Sequence, residues 1–146
     1  MDSAKRILIA EDEEADVLLM QIALEEYGLA AECAVVHDGQ EALDYLHCRG
    51  AHADRPRGNP ELMLLDLKLP KVSGLQVLRE MRTDGQFGSV SVVIFSSSLD
   101  EKDKAEAFSS GANDFMVKPM NFDTFRMTIK QVISTYILSG GGIFNT

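Results

Sequence analysis

Five short apolar runs, separated by longer stretches with apolar residues at helical spacing, constrain this chain more than any other feature. The runs are Ile7-Leu8-Ile9-Ala10, Cys33-Ala34-Val35-Val36, Leu62-Met63-Leu64-Leu65, Val92-Val93-Ile94-Phe95 and Phe115-Met116-Val117. The third and fourth lack polar alternation, as expected of strands covered on both faces. Between the runs, Glu14 to Tyr27 carries Val17, Met20 and Leu24 on one helical stripe, with Gly28 as a C-terminal stop. Asp38-Gly39-Gln40-Glu41 reads as a capping box that opens a helix through Leu43 and Leu46. Ser73 caps a helix holding Leu75, Leu78 and Met81. Ser98-Leu99-Asp100-Glu101 reads as a second capping box, whose helix stops at Gly111. Asn121 caps a last helix with Phe125, Ile129, Val132 and Tyr136 on its inner face. Alternating strands and helices predict an α/β fold: a doubly wound, five-stranded parallel sheet with helices on both faces.

The 146 residues, 45% of them hydrophobic, suffice for one domain with a real core, expected over about 5–137. Two segments fall outside the pattern. Residues 49–60 contain two prolines and two glycines and read as a long loop, and 139–146 form a Gly-rich tail. The net charge of −9 argues against nucleic-acid binding and against an anionic membrane surface, both of which need Lys and Arg. It permits a metal cation and a basic partner, although solubility alone explains most of it. Cys33 and Cys48 have no CxxC spacing and read as free thiols in a reducing compartment. No run of about 18 apolar residues and no leader-like N-terminus is present, so a soluble cytoplasmic protein is expected.

Sites in open parallel sheets form at the carboxyl ends of the strands. Just past the first run lie Glu11 and Asp12; past the third, Asp66; past the fourth, Ser96 and Ser97; past the fifth, Lys118 and Pro119. Three carboxylates, a hydroxyl and an ammonium would therefore converge on one edge. Clustered carboxylates repel one another unless a cation joins them, and hard oxygen ligands favour Mg²⁺. A carboxylate beside such a metal can attack a phosphoryl group, and a lysine can neutralise the transferring oxygens.

The segments ILIAEDE, LMLLDLKLPKVSG, VVIFSSS and GANDFMVKP, in this order, resemble the receiver domain of two-component response regulators over essentially the whole chain. Thirty positions separate Asp66 from Ser96 and 22 separate Ser96 from Lys118, spacings that match the family. The resemblance implies a flavodoxin-like receiver fold, a single receiver domain over 1–146, and a phosphorylatable switch rather than a turnover enzyme. It casts Asp66 as phosphoacceptor, and Glu11 and Asp12 as metal-binding acids, with Asp12 the direct ligand and Glu11 acting partly through water. The backbone carbonyl of Lys68 is a further implied ligand. Mg²⁺ is the implied cofactor, with Mn²⁺ able to substitute. Ser96 becomes the switch hydroxyl, chosen over Ser97 by spacing alone, and Phe115 the aromatic switch residue, although an aromatic at a strand needs no function beyond the core. Lys118 becomes the phosphate-binding lysine, and Lys118-Pro119 is expected to be a cis peptide.

Some positions depart from the common pattern. The switch aromatic is Phe and carries no hydroxyl. Lys68 and Ser98 occupy the two positions that tune aspartyl-phosphate lifetime in this family, and Lys68 is basic. The 49–60 loop is longer than usual and, with VVIFSSS, most resembles the response regulators paired with phytochrome-like sensor histidine kinases. A histidine phosphotransfer protein is a second implied partner. The last helix and the Ile143-Phe144 tail could support a homodimer. No output segment is expected after Tyr136. Two other functions fit parts of the pattern. One is a receiver-like interaction domain that is never phosphorylated. The other is an aspartate-based Mg²⁺ phosphatase, which wants a second Asp where Lys68 stands.

Overall fold

The computed structural model describes residues 4–138. Five parallel strands form one sheet: β1 (Ile7–Ala10), β2 (Cys33–Val36), β3 (Leu62–Leu65), β4 (Ser91–Ser96) and β5 (Asp114–Val117), in the spatial order β2-β1-β3-β4-β5. Helices α1 (Glu14–Glu26), α2 (Gly39–Leu46), α3 (Gly74–Thr83), α4 (Glu101–Ser109) and α5 (Phe122–Ile133) alternate with them. The doubly wound sheet expected from the alternation is thus found.

The strands are apolar because both sheet faces are covered. Ile7, Ile9, Leu62, Leu64, Val93 and Phe95 point into one apolar layer, against α1 and α5. Leu8, Ala10, Met63, Leu65, Val92 and Ile94 point into the other, against α2 and α3. β1 and β3 are buried at every residue. Stripes expected from spacing pack as read: Val17, Met20 and Leu24 of α1, and Phe125, Ile129 and Val132 of α5, are buried. Tyr136 is only half-buried, because the chain after α5 continues as a wider π-helical turn, Ser134–Leu138, that buries Ile137 instead.

Helix ends follow their caps, with one correction. Asp38 accepts from Glu41 N, Ser73 from Gln76 N, and Asn121 from Thr124 N. The second expected box is shifted: α4 begins at Glu101, and its cap is Asp100, which accepts from Lys102 N. Ser98 instead accepts from Asp100 N and donates to Asp103 at 2.6 Å. Two overlapping cap signals competed there, and the later one has the helix.

The 49–60 loop is held by its own side chains. Arg55 lies over the Tyr45 ring at 4.1 Å and donates to the carbonyls of Tyr45, Pro56 and Gly58. The 139–146 tail, with Ile143 and Phe144, lies outside the described residues. No helix of the described residues is long and apolar enough to cross a membrane.

Candidate functional site

Register brings the expected residues to one edge. Ala10 pairs with Leu65 and with Val36, so Glu11 and Asp66 both emerge just beyond the paired strands. Their backbones continue the ladder: Asp66 N donates to Ala10 O, and Glu11 N to Val36 O. Ser96 is the last residue of β4 rather than the first beyond it, and it is fully buried. It pairs with Val117, and Lys118 N donates back to Ser96 O at 2.8 Å. That bond delivers the Lys118 side chain across the sheet edge.

Carboxylate oxygens of Glu11, Asp12 and Asp66 all lie within 4.8 Å of one another. Glu11 and Asp66 are buried and Asp12 is exposed. Lys118 Nζ approaches Glu11 Oε1 at 2.6 Å, Asp16 Oδ2 at 2.8 Å and Asp66 Oδ2 at 3.3 Å. Glu11 Oε1 is buried without a well-aligned hydrogen bond, despite its ion pair with Lys118. Its other oxygen accepts from Glu13 N. Lys68 N donates to Asp66 Oδ1 at 3.1 Å, and the Lys68 side chain is exposed.

Burial pushes the Glu11 carboxyl up to about 7, and the Asp66 charge adds to this. The Lys118 ammonium pulls the opposite way, and the 2.6 Å ion pair favours the ionised carboxylate. Upward is the direction that follows, because a carboxylate at 1% exposure has lost nearly all its water. Burial opposes the Lys118 charge too, but the close carboxylates of Asp16 and Glu11 outweigh it and hold the ammonium well above the usual lysine value.

Two features differ from the sequence expectation. Lys118-Pro119 is trans, since there is no cis peptide among the described residues. The isomers of an X–Pro bond differ by only about 0.5–1 kcal/mol, so Lys-Pro alone does not decide between them. Asp16 was not singled out by sequence reasoning. Its signal was available: it stands four residues after Asp12, one helical turn along the acidic start of α1. Phe115 lies in the core beside β4, 8% exposed.

An open parallel sheet with an acid pair, a buried aspartate, a hydroxyl and a lysine gathered at its carboxyl edge is the architecture of a receiver-type signalling domain. Residues 7–130 match the family described as the response regulator receiver domain, and the chain belongs to that family. It is 34% identical to the response regulator Rcp1 of Synechocystis sp. over 124 residues, covering 84% of this chain and 83% of that one. Its fold superposes on the phosphorylated cyanobacterial phytochrome response regulator RcpA with a TM-score of 0.85. That match has 32% identity and covers 92% of this chain and 95% of RcpA. The Mn²⁺-bound form of Rcp1 gives a TM-score of 0.82 at 29% identity, covering 91% of this chain and 94% of that one.

Proposed function

We propose that this chain is a phosphorylation switch whose phosphoacceptor is Asp66. The carrying observation is the placement of Lys118 Nζ against both Asp66 and Glu11 at the sheet edge. In that arrangement an Asp66 oxygen attacks phosphorus in line. The bond from phosphorus to the donor's imidazole nitrogen breaks, and its electron pair stays on the imidazole. Lys118 balances charge on the phosphoryl oxygens. The donor set fits Mg²⁺ or Mn²⁺, because it is all oxygen and its three carboxylates each bring an oxygen within 4.8 Å of the others. Glu11, Asp12, Asp66 and the Lys68 carbonyl would hold the ion, and it would supply positive charge to the phosphoryl oxygens.

Phosphorylation adds roughly −1.5 to −2 charge at Asp66. The Ser96 hydroxyl, which now accepts from Ser98 N, turns to donate to a phosphoryl oxygen. Ser98 is bonded to Asp103, so a shift there reaches α4 directly. Phe115 is already packed inward, which suits a side chain with no hydroxyl to keep wet.

The donor is a sensor histidine kinase. Likeness to RcpA and Rcp1 supports one of the phytochrome type, and a histidine phosphotransfer protein offers the same phosphohistidine chemistry. The setting is cytoplasmic, with no turnover of a free metabolite. Exposed Leu99, Val117, Met120 and Phe122 around α4, β5 and α5 support docking of a protein partner or a second copy.

The test is intact-protein mass after incubation with acetyl phosphate and Mg²⁺. The expected result is a gain of one phosphoryl group, absent without the metal and absent in Asp66→Asn. An unlabelled wild type that also fails to bind beryllofluoride would leave an unphosphorylated interaction domain as the function.

A further inference from the structure

Lys118 is shared more widely than phosphoryl binding requires. An ammonium has three N–H donors, and here three carboxylates surround it. Two of these, Glu11 and Asp66, belong to the cluster whose oxygens lie within 4.8 Å of one another. The third, Asp16, does not. It reaches Lys118 from the first turn of α1 and is partly open to water, at 23% side-chain exposure. Its contact, 2.8 Å, is shorter than the 3.3 Å contact of Lys118 with Asp66. Asp16 is not needed to bring the lysine in, because Glu11 already holds Nζ at 2.6 Å and the backbone bond to Ser96 sets its direction.

We propose that Asp16 is a positioning residue that competes with the phosphoryl group for Lys118 and so restrains phosphorylation of Asp66. The proposal rests on the function assigned above to Asp66 and Lys118. Two effects act in the same direction. A phosphoryl group on Asp66 must take a Lys118 donor from a carboxylate, and Asp16 is the one with no part in the metal cluster. Asp16 also adds a fourth negative charge beside Glu11, Asp12 and Asp66, and that charge repels an incoming anion. Removing the charge while keeping the shape therefore loosens the hold on the donor, since the amide oxygen of Asn accepts more weakly, and lowers the repulsion. A charge-assisted contact that is partly solvated corresponds to a gain of roughly three- to tenfold in affinity for a phosphoryl mimic.

The experiment is a titration of the full chain with beryllofluoride in the presence of Mg²⁺, for wild type, Asp16→Asn, Asp16→Glu, Lys118→Ala and the double variant Asp16→Asn/Lys118→Ala. Asp16→Asn is expected to bind the mimic roughly three- to tenfold tighter, and Asp16→Glu to stay close to wild type. In the Lys118→Ala background, Asp16→Asn should lose most of its effect, because nothing remains to compete for. The Lys118 ammonium resonance, followed by ¹H–¹⁵N NMR, should move in Asp16→Asn before any mimic is added. Equal or weaker binding by Asp16→Asn overturns the proposal. So does a full gain that persists without Lys118, since that would be charge relief alone. A wild type that does not bind beryllofluoride at all removes the phosphorylation reading itself, whereas a binding wild type with an unresponsive Asp16→Asn removes only the role of Asp16.

Discussion

At the scale of single residues, position in the fold matters more than residue type. Cys33 and Cys48 are both free thiols, and the sequence gives no reason to separate them. Cys33 opens β2 and packs against the layer under α1, and burial pushes its thiol up to about 12. The thiolate is the reactive form, so the raised value suppresses reaction wherever the pH lies below it. At pH 8.5, alkylation of Cys33 by iodoacetamide should run at least about a hundredfold slower in the folded protein than in the denatured chain, because the reactive thiolate is that much scarcer. Mass spectrometry of partly alkylated protein, with Cys33→Ser identifying the slow site, checks this; rapid labelling of Cys33 in the native state would contradict it. The same dependence on position explains which site residues were legible. Glu11, Asp66 and Lys118 follow strand ends, where a one-residue rule locates them. Asp16 reaches the site from a helix, and an acid in a first turn already has a sufficient explanation in the helix dipole.

Among elements, the junction between β3 and α3 is where sequence, packing and site are most tightly linked. Gly74 opens α3, and its N–H donates to Leu67 O. A Cβ at Gly74 would collide with the carbonyl oxygen of Asp66, so α3 can approach the site this closely only through glycine. Gly74→Ala should therefore destabilise the protein by about 1–3 kcal/mol and slow labelling of Asp66, because relief of the clash displaces the backbone that carries the acceptor. Gly85→Ala is the control: a Cβ there meets nothing within 4 Å, and its stability should change by less than about 1 kcal/mol. Urea denaturation of both variants, with acetyl phosphate labelling alongside, separates the two outcomes; equal effects would show that the close approach is unimportant. Element existence was readable throughout because periodicity is a property of whole segments. The start of α4 was not, since Ser98 and Asp100 each precede an acid by three residues and only the folded loop chooses between them.

For the whole molecule, the acidic edge should weaken the fold that carries it. The chain has a net charge of −9, and Glu11, Asp16 and Asp66 gather around a single ammonium, with Asp12 beside Glu11 and Asp66. Like charges held together by the fold separate on unfolding, so the metal-free protein carries repulsion that the denatured chain does not. A divalent cation that binds only the folded state adds stability of RT ln(1 + [L]/Kd), about 1.4 kcal/mol at ten times Kd, and a domain of this size should gain roughly 3–5 °C in Tm. Asp12 is exposed, so replacing it loses little packing. Asp12→Asn in EDTA should accordingly melt at or above the wild-type temperature, and it should gain little when Mg²⁺ is added. Thermal unfolding followed by circular dichroism, with and without Mg²⁺, reads both effects in one experiment. If Asp12→Asn melts lower in EDTA, the carboxylate stabilises the fold by itself; if it keeps the full Mg²⁺ response, Asp12 is not a ligand. The expected pair of results would mean that stability was given up at this edge for a site that only a cation and a phosphoryl group complete.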